Sequence, residues 1–202
     1  MIHVIVDSTS GVTEESLAKH KNLHLIPLTL AINGEYVPET EATISQVIEY
    51  SEATKKSIPT SQPSTGDFLE LFDKIPAEDA IIILCITTAV SGTYNGAVLA
   101  AKQSKRDQIA VINTRTTAIG ILQMTQDALE FIDAGVAFDD LVKKLLDIAE
   151  RMRTTFTVDS LEYLRRGGRI GKAAGIIGSI LKIKPCIYLN KNNEVDVLDK
   201  VR

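Results

Sequence analysis

The chain has 202 residues, 45% of them apolar and 24% charged, which is the composition of a globular protein with room for one domain and part of a second. Its net charge of −4 at pH 7 argues against a general nucleic-acid-binding surface. The apolar runs are too short to span a membrane, and the N-terminus lacks the pattern of a signal peptide. With two cysteines in apolar runs and three histidines without metal-ligand spacing, the sequence predicts a cytoplasmic protein that is not a metalloenzyme.

Strands and helices alternate along the first 150 residues, which is the pattern of an α/β fold built on a mostly parallel sheet. In chain order, the first predicted elements are a strand at 2–7, a helix at 13–19 and a strand at 23–30 that Pro27 interrupts, which favours an edge position or an irregular strand. A hairpin turn at Asn33-Gly34 follows, then a helix from Thr43 or Ser45 to Thr54 and a helix capped by Ser64. The last elements are a strand at 80–86, a helix from Tyr94, a strand at 108–113, a helix ending near Asp133 and a helix at 138–152. We therefore predict a three-layer α/β/α domain over residues 1–153.

The pattern changes after this domain. The predicted elements are a strand at 154–158, a short helix at 160–166, a glycine-rich helix at 171–183 and a hairpin of strands at 185–189 and 194–201. A unit of this size is marginal on its own. We therefore expect residues 154–202 to be the start of a second α/β domain that is completed by residues outside the chain.

The most informative stretch is a run of seven apolar residues, 80–86, which is typical of a strand buried on both faces. Small polar residues follow it: Thr87, Thr88, Ser91, Gly92 and Thr93. Open α/β sheets bind ligands outside the carboxyl ends of their strands, where the N–H groups of the next helix attract anions. Ser91 is also typical of a helix N-cap, so a binding role and a capping role both stay open.

A second informative segment, residues 60–62, lies between Pro59 and Pro63, which restrict its backbone. Its Thr, Ser and Gln side chains either satisfy local turn hydrogen bonds or face a ligand, and both interpretations stay open. Ser64 and Asp67 follow with the spacing of a capping box.

Hydroxyl-rich segments without lysine follow three predicted strands, at 7–10, 87–93 and 113–117. Their recurrence predicts one shared site at the carboxyl edge of the sheet. The GxxxxGK[ST], GxGxxG and GxSxG motifs are missing, and no histidine lies at a recognisable position to activate Ser91. The residues therefore favour binding of a small carboxylate or phosphate over catalysis.

Four motifs resemble those of the DegV family, the fatty-acid-binding proteins that serve bacterial fatty acid kinase. In chain order they are Asp7-Ser8-Thr9, Thr60-Ser61-Gln62-Pro63-Ser64, Ser91-Gly92-Thr93-Tyr94, and the run from Leu161 through Arg165-Arg166-Gly167-Gly168-Arg169 to Ile170, which leads to Ile183-Lys184-Pro185. The chain departs from the family pattern at Ser10-Gly11-Val12, where an acidic residue, Leu and Pro are usual, and at Thr65, where proline is common.

The resemblance implies a fatty acid buried between two α/β domains, with no cofactor. It implies that Thr60 and Ser91 hydrogen-bond the carboxylate and that the glycine-rich helix faces the tail. The other implied site residues are Ser61, Gly92 and Thr93, which shape the carboxylate pocket, and Arg169, which lies near the head group. A separate ATP-dependent kinase subunit would phosphorylate the bound acid, so that this protein is a carrier and not the enzyme. Family members also have a further C-terminal part that closes the lipid tunnel.

Two other functions stay open. A phosphotransferase-type enzyme domain of related fold would need a histidine at the reacting centre, and a regulator would sense a lipid or small acid without any kinase. For a carrier, the expected partners are a long-chain fatty acid and the kinase subunit, without nucleic acid. A transient contact with a membrane surface is left open.

Overall fold

The structure is a computed structural model, and it describes residues 1–176 and 184–201. The strands are β1 (Ile2–Asp7), β2 (Leu23–Ile26), β3 (Thr29–Ile32), β4 (Glu35–Pro38), β5 (Thr60–Ser61), β6 (Ala80–Cys85), β7 (Ile109–Asn113), β8 (Thr155–Thr157), β9 (Lys184–Leu189) and β10 (Val195–Val201). The α-helices are α1 (Glu14–Lys19), α2 (Ile44–Thr54), α3 (Thr65–Asp73), α4 (Thr93–Gln103), α5 (Ile119–Asp133), α6 (Phe138–Arg151) and α7 (Glu162–Arg166).

A parallel four-stranded sheet with strand order β2-β1-β6-β7 forms the centre of the first 150 residues. Successive side chains of a strand point to opposite faces of the sheet. On β1, Val4 and Val6 therefore pack in the cluster that contains α5 and α6, whereas Ile5 packs with α3 and α4. All six residues of β6 are buried because this strand is covered on both faces. The three-layer α/β/α prediction is confirmed.

The strand order places a topological switch point between β1 and β6. The chain first builds β2 on one side of β1, then crosses over and adds β6 and β7 on the other side. The segments that follow β1 and β6 therefore leave the same edge of the sheet in opposite directions. Such a crevice is where open α/β sheets bind ligands.

The predicted single strand at 23–30 is wrong. β2 ends at Ile26 and pairs in parallel with β1, whereas β3 begins at Thr29 in a separate antiparallel sheet of order β4-β3-β5. Pro27 stands at the point where the chain leaves one sheet for the other. Thr60 and Ser61 form β5 and pair with β3, so the proline-flanked segment is anchored to this small sheet.

The remaining strands form a third sheet, with antiparallel order β10-β9-β8. Buried apolar residues of this sheet form a separate cluster with Ala173, which lies outside the sheet: Ile187, Leu189 and Val195. The sheet begins at Thr155. A domain boundary between residues 153 and 154 stays a prediction.

The predicted N-caps are confirmed at Thr13, Thr43 and Ser64, and Ser64 forms the expected capping box with Asp67. Within the described residues, no helix is both long enough and apolar enough to cross a bilayer.

Only the first part of the glycine-rich helix predicted at 171–183 can be compared with the structure. Gly171–Ile176 forms a 3₁₀ helix, and residues 177–183 lie outside the described residues. Gly171 has φ +54°, and a Cβ on it would overlap the backbone of Val195. No described residue comes within 4 Å of a Cβ placed on Gly175. Close approach of another segment to the backbone therefore explains the first glycine and not the second.

Candidate ligand-binding site

The turn between β6 and α4 carries the predicted residue Ser91. The N-cap of α4 is Gly92, one position after Ser91, so the alternative in which Ser91 is the N-cap residue itself is not supported. The Ser91 hydroxyl nevertheless accepts a hydrogen bond from the Thr93 amide at 3.3 Å and lies 2.9 Å from the Thr93 hydroxyl. Thr93 is fully buried and Ser91 is half-buried. The pair therefore fixes the turn and leaves part of the Ser91 hydroxyl accessible at the start of the helix.

The Thr60–Ser61 segment is the second predicted part of the site. Both side chains are exposed, and neither has a hydrogen-bond partner among the residues that the structure describes. The alternative that they satisfy local turn hydrogen bonds is therefore not supported. Because their backbone is held in β5, the two hydroxyls are positioned without being used by the fold.

Gln62, which was not among the predicted site residues, connects these two segments. Its side chain lies against the backbone of α4, where a Cβ on Gly92 would overlap Oε1 and a Cβ on Gly96 would stand 3.0 Å from Nε2. Glycine at both positions leaves room for the amide. The contact places the end of β5 beside the Ser91 turn. The signal in the sequence was its place in the proline-flanked segment 60–62, where its side chain was one of three left open between turn hydrogen bonds and a ligand.

Arg169 contacts the residue just before Ser91 in the same turn. Its Nε donates to the carbonyl oxygen of Val90 at 3.0 Å, and another guanidinium N–H donates to the carbonyl of Gly167. Val90 directly precedes Ser91 in the chain. The exposed guanidinium therefore lies beside the turn.

The residues just before Ser91 are apolar and face the third sheet. Ala89 and Val90 pack against the cluster that contains Ile187, Leu189 and Val195. The turn thus has hydroxyl and amide groups at one end and contacts the buried apolar cluster of the third sheet at the other.

The polar residues Thr87, Thr88 and Thr116 contact the third sheet and the segment that leads to it. The prediction of one shared site for all three polar strand ends is therefore wrong. Thr87 donates to Asn193 Oδ1 at 2.5 Å, and Asn193 donates in turn to Thr88 Oγ1 at 2.6 Å. At the end of β7, Thr154 donates to the Thr116 hydroxyl at 2.7 Å. These hydroxyls hold the hairpin turn of β9–β10 and the approach to β8 against the central sheet.

The polar residues after β1 are also engaged. Asp7 is buried and accepts from the Ile86 amide at 2.8 Å and from the amide of Thr9 at 3.1 Å. Burial raises the pKa of the Asp7 carboxyl, and the hydrogen bonds from Thr9 and Ile86 oppose this effect. Burial, with a smaller contribution from Asp7, raises the pKa of the Cys85 thiol far above its usual value, so this thiol stays protonated. The hydrogen bond from the Ile86 amide to the Asp7 carboxylate links the ends of β1 and β6.

The three histidines lie at the other end of the sheet. His3 stands near the start of β1, where Nδ1 is 2.8 Å from His24 Nε2 and Nε2 is 3.1 Å from the Asp79 carboxylate. His20 precedes β2. A histidine phosphotransfer centre at the Ser91 turn therefore has no support. Within residues 1–176 and 184–201, no group of His, Cys, Asp or Glu side chains is arranged to hold a metal ion.

The fold and this turn define an α/β protein in which hydroxyl and amide groups after β6 lie beside a buried apolar cluster. The DegV family model matches residues 1–202, and the chain belongs to this family. A DegV domain-containing protein of Staphylococcus aureus strain COL is 33% identical over 184 residues, which is 90% of this chain and 65% of the relative. The chain therefore spans slightly less than two thirds of that relative's length.

Two solved structures are similar over the whole chain. A DegV family protein from Thermus thermophilus, described as binding fatty acid, is 27% identical with a TM-score of 0.89, and the match covers 100% of this chain and 71% of that one. DegV from Bacillus subtilis, described as a fatty acid binding protein, is 29% identical with a TM-score of 0.85, and the match covers 100% and 72%.

Proposed function

We propose that this chain binds a long-chain fatty acid, with the carboxylate held by Thr60 and Ser91 and the tail directed along the apolar cluster of the third sheet. The same proposal assigns supporting roles to neighbouring residues: Ser61, Gly92 and Thr93 shape the carboxylate pocket, and Arg169 lies beside the head group. Its immediate support is that relatives of the same fold are described as fatty-acid-binding proteins.

One observation carries this proposal: the Ser91 turn lies between hydroxyl groups that have no hydrogen-bond partner among the described residues and a buried apolar cluster. The exposed hydroxyls of Thr60 and Ser61 and the first N–H groups of α4 can donate to a carboxylate. Ala89 and Val90 lead directly into the apolar cluster. A ligand with an acid group at one end and a hydrocarbon chain at the other fits both features.

Magnitudes indicate how the two parts of the ligand contribute. About 14 buried methylene groups provide roughly 11 kcal/mol at about 0.8 kcal/mol each, before the cost of association. Each hydrogen bond from a hydroxyl to the carboxylate adds about 1.5–3 kcal/mol. The tail therefore dominates retention, and the hydroxyl groups orient the head.

The proposal includes the fate of the bound acid, which is presented to a separate ATP-dependent kinase subunit that forms the acyl phosphate. The Ser91 turn offers donors and a nearby guanidinium but no histidine, because all three histidines lie at the opposite end of the sheet. Such a site orients a carboxylate and leaves phosphoryl transfer to the partner.

Thr60→Val tests the carboxylate contact, because it removes a hydroxyl that has no partner among the described residues and keeps the side-chain shape. The expected result is about tenfold weaker binding of palmitate, with the free energy of unfolding changed by less than about 0.5 kcal/mol. Thr157→Val, at an exposed strand position in β8, is the matched control. Equal palmitate affinity in the two variants would contradict the assignment of Thr60.

Ser91→Ala tests presentation to the kinase. The variant should bind palmitate somewhat more weakly and should be phosphorylated far more slowly by a fatty acid kinase subunit, measured as acyl phosphate formed at saturating fatty acid. The chain alone, incubated with ATP and palmitate, should form none. Acyl phosphate from the chain alone would favour an enzyme, and an unchanged rate with Ser91→Ala would remove Ser91 from the mechanism.

A further inference from the structure

A second cleft, of about 720 Å³, lies away from the Ser91 turn. Three segments form it. The segment after β7 contributes Arg115, and the segment after α6 contributes Arg153. The β9–β10 turn contributes Lys191. The fatty-acid proposal uses none of these residues. The cleft lies where the central sheet meets the third sheet, so a ligand in it would contact both.

The cleft concentrates positive charge in a chain whose net charge is negative. Among the described residues, Arg115, Arg153 and Lys191 form no ion pair. Arg115 donates to the Lys191 carbonyl at 2.5 Å, and Arg153 donates to the carbonyls of Met152 and Glu150 at 2.7 and 3.0 Å. A guanidinium carries five N–H donors, so both keep donors for a ligand.

The acidic groups near the cleft leave this excess in place. Among the described residues that line the cleft, Glu150 is the only acidic one. Asn190, which also lines the cleft, donates to Glu194 at 3.2 Å and to Asp196 at 3.3 Å, and Glu194 is also paired with Lys172 at 2.9 Å. The described lining therefore contains three basic residues and one acidic residue, with two further carboxylates held by Asn190 and Lys172.

The positions of the cationic groups are set by the fold. Arg115 has φ +56° and Asn193, on the facing turn, has φ +60°, a conformation that non-glycine residues adopt at a cost. Two hydrogen bonds between the central sheet region and the β9–β10 turn hold these residues in place. Arg115 donates to the Lys191 carbonyl, and Thr87 donates to the Asn193 side chain.

The wall of the cleft also contains apolar groups, since Tyr188, Met152 and Leu189 line it beside the three cations. Phosphate groups are bound by Arg and Lys, and an aromatic side chain offers a flat surface for stacking of a base. We propose that this cleft binds a nucleoside polyphosphate, with the phosphates facing Arg115, Arg153 and Lys191 and the base against Tyr188.

Calorimetric titration with ATP and with inorganic pyrophosphate tests the cleft. Lys191→Gln and Arg153→Gln should each weaken ATP binding by about tenfold, the effect of one lost charge-assisted contact. Arg151→Gln is the matched control, because Arg151 pairs with Asp147 at 2.7 Å on an exposed part of the same helix. Tyr188→Leu should weaken binding of ATP and leave pyrophosphate binding unchanged.

Thr60→Val should not change ATP affinity, which separates this proposal from the fatty-acid site. No ATP binding at millimolar concentration would overturn the proposal. Equal ATP affinity in Lys191→Gln, Arg153→Gln and Arg151→Gln would also overturn it, since the anion would then bind elsewhere. Binding of ATP no tighter than pyrophosphate would overturn the assignment of the base to Tyr188.

Discussion

The side-chain amide of Gln62 lies so close to Gly92 that a Cβ on the glycine would overlap Oε1. This contact joins the strand that carries Thr60 to the turn that carries Ser91, across 30 residues of sequence. Since Gln62 is exposed and flexible, the amide can move away at little cost in stability. The geometry of the proposed carboxylate site therefore depends on a small residue at position 92.

Gly92→Ala should displace the Gln62 side chain and change the position of the Thr60 segment relative to the Ser91 turn. We expect palmitate binding to weaken about threefold to tenfold, with the free energy of unfolding within about 0.5 kcal/mol of the wild type. Isothermal titration and urea unfolding check the two parts. Gln62→Ala should weaken binding similarly, and the double variant no further, since both changes remove one contact. Additive losses in the double variant would contradict this coupling.

Arg169→Lys should weaken palmitate binding through the position of the turn. Lysine keeps the charge but lacks the planar donor group through which Nε contacts the Val90 carbonyl. Because the guanidinium is exposed, the expected loss is about 0.5–1.5 kcal/mol of binding free energy. Arg165→Lys is the control, since Arg165 pairs with Glu162 on α7, where Arg165 and Arg166 lower the pKa of the Glu162 carboxyl to about 2. Equal effects of the two substitutions would argue against a specific role for Arg169.

Asn193→Gly should destabilise the protein, because it removes the hydrogen bonds to Thr87 and Thr88 and keeps the left-handed backbone that glycine accepts. Two lost hydrogen bonds, one to a buried hydroxyl, are worth about 1–3 kcal/mol. Asn192→Gly on the same turn controls for the flexibility of glycine. Chemical denaturation measures the difference. If the two variants unfold at the same denaturant concentration, the Asn193 side chain does not stabilise the contact between the β9–β10 turn and the segment after β6.

The stability of the protein should fall as the pH falls below about 6.5, the ordinary pKa of histidine. Burial, and secondarily the nearby His3, lower the pKa of His24 in the folded protein. Below the ordinary value the unfolded chain takes up a proton that the folded chain binds less readily, so the free energy of unfolding decreases. Above it both states are neutral at this residue and no effect remains. His24→Gln should flatten the pH dependence of urea unfolding between pH 7.5 and 5.5, whereas His20→Gln should leave it unchanged.

Local sequence signals predicted local structure well. The spacing of Ser64 and Asp67 predicted a capping box because its hydrogen bonds join residues three apart. The seven-residue apolar run predicted β6 because a strand buried on both faces needs no alternation. The sequence did not predict that the segments before and after Pro27 belong to different sheets. The first segment pairs with β1 and the second with β4, and this choice of partner is not encoded in the local sequence.

The same limit applies to the site. Thr87, Thr88 and Thr116 matched the expected pattern of ligand-facing hydroxyls, but Thr87 and Thr88 bind a partner more than 100 positions away and Thr116 binds Thr154. Spacing along the chain does not reveal such partners. That the Thr60 segment lies near the Ser91 turn was expected only from the resemblance to the family. In the structure, the contact of the Gln62 side chain with Gly92 brings the two segments together.

The central claim, that hydroxyl donors hold a fatty-acid carboxylate, is tested most directly by the ¹³C resonance of carboxyl-labelled palmitate bound to the protein. The account predicts a bound carboxyl resonance distinct from that of free palmitate, shifted in Thr60→Val and in Ser91→Ala and unchanged in Thr157→Val. A bound resonance that is identical in all four proteins, or the absence of any bound resonance in the wild type, would contradict it.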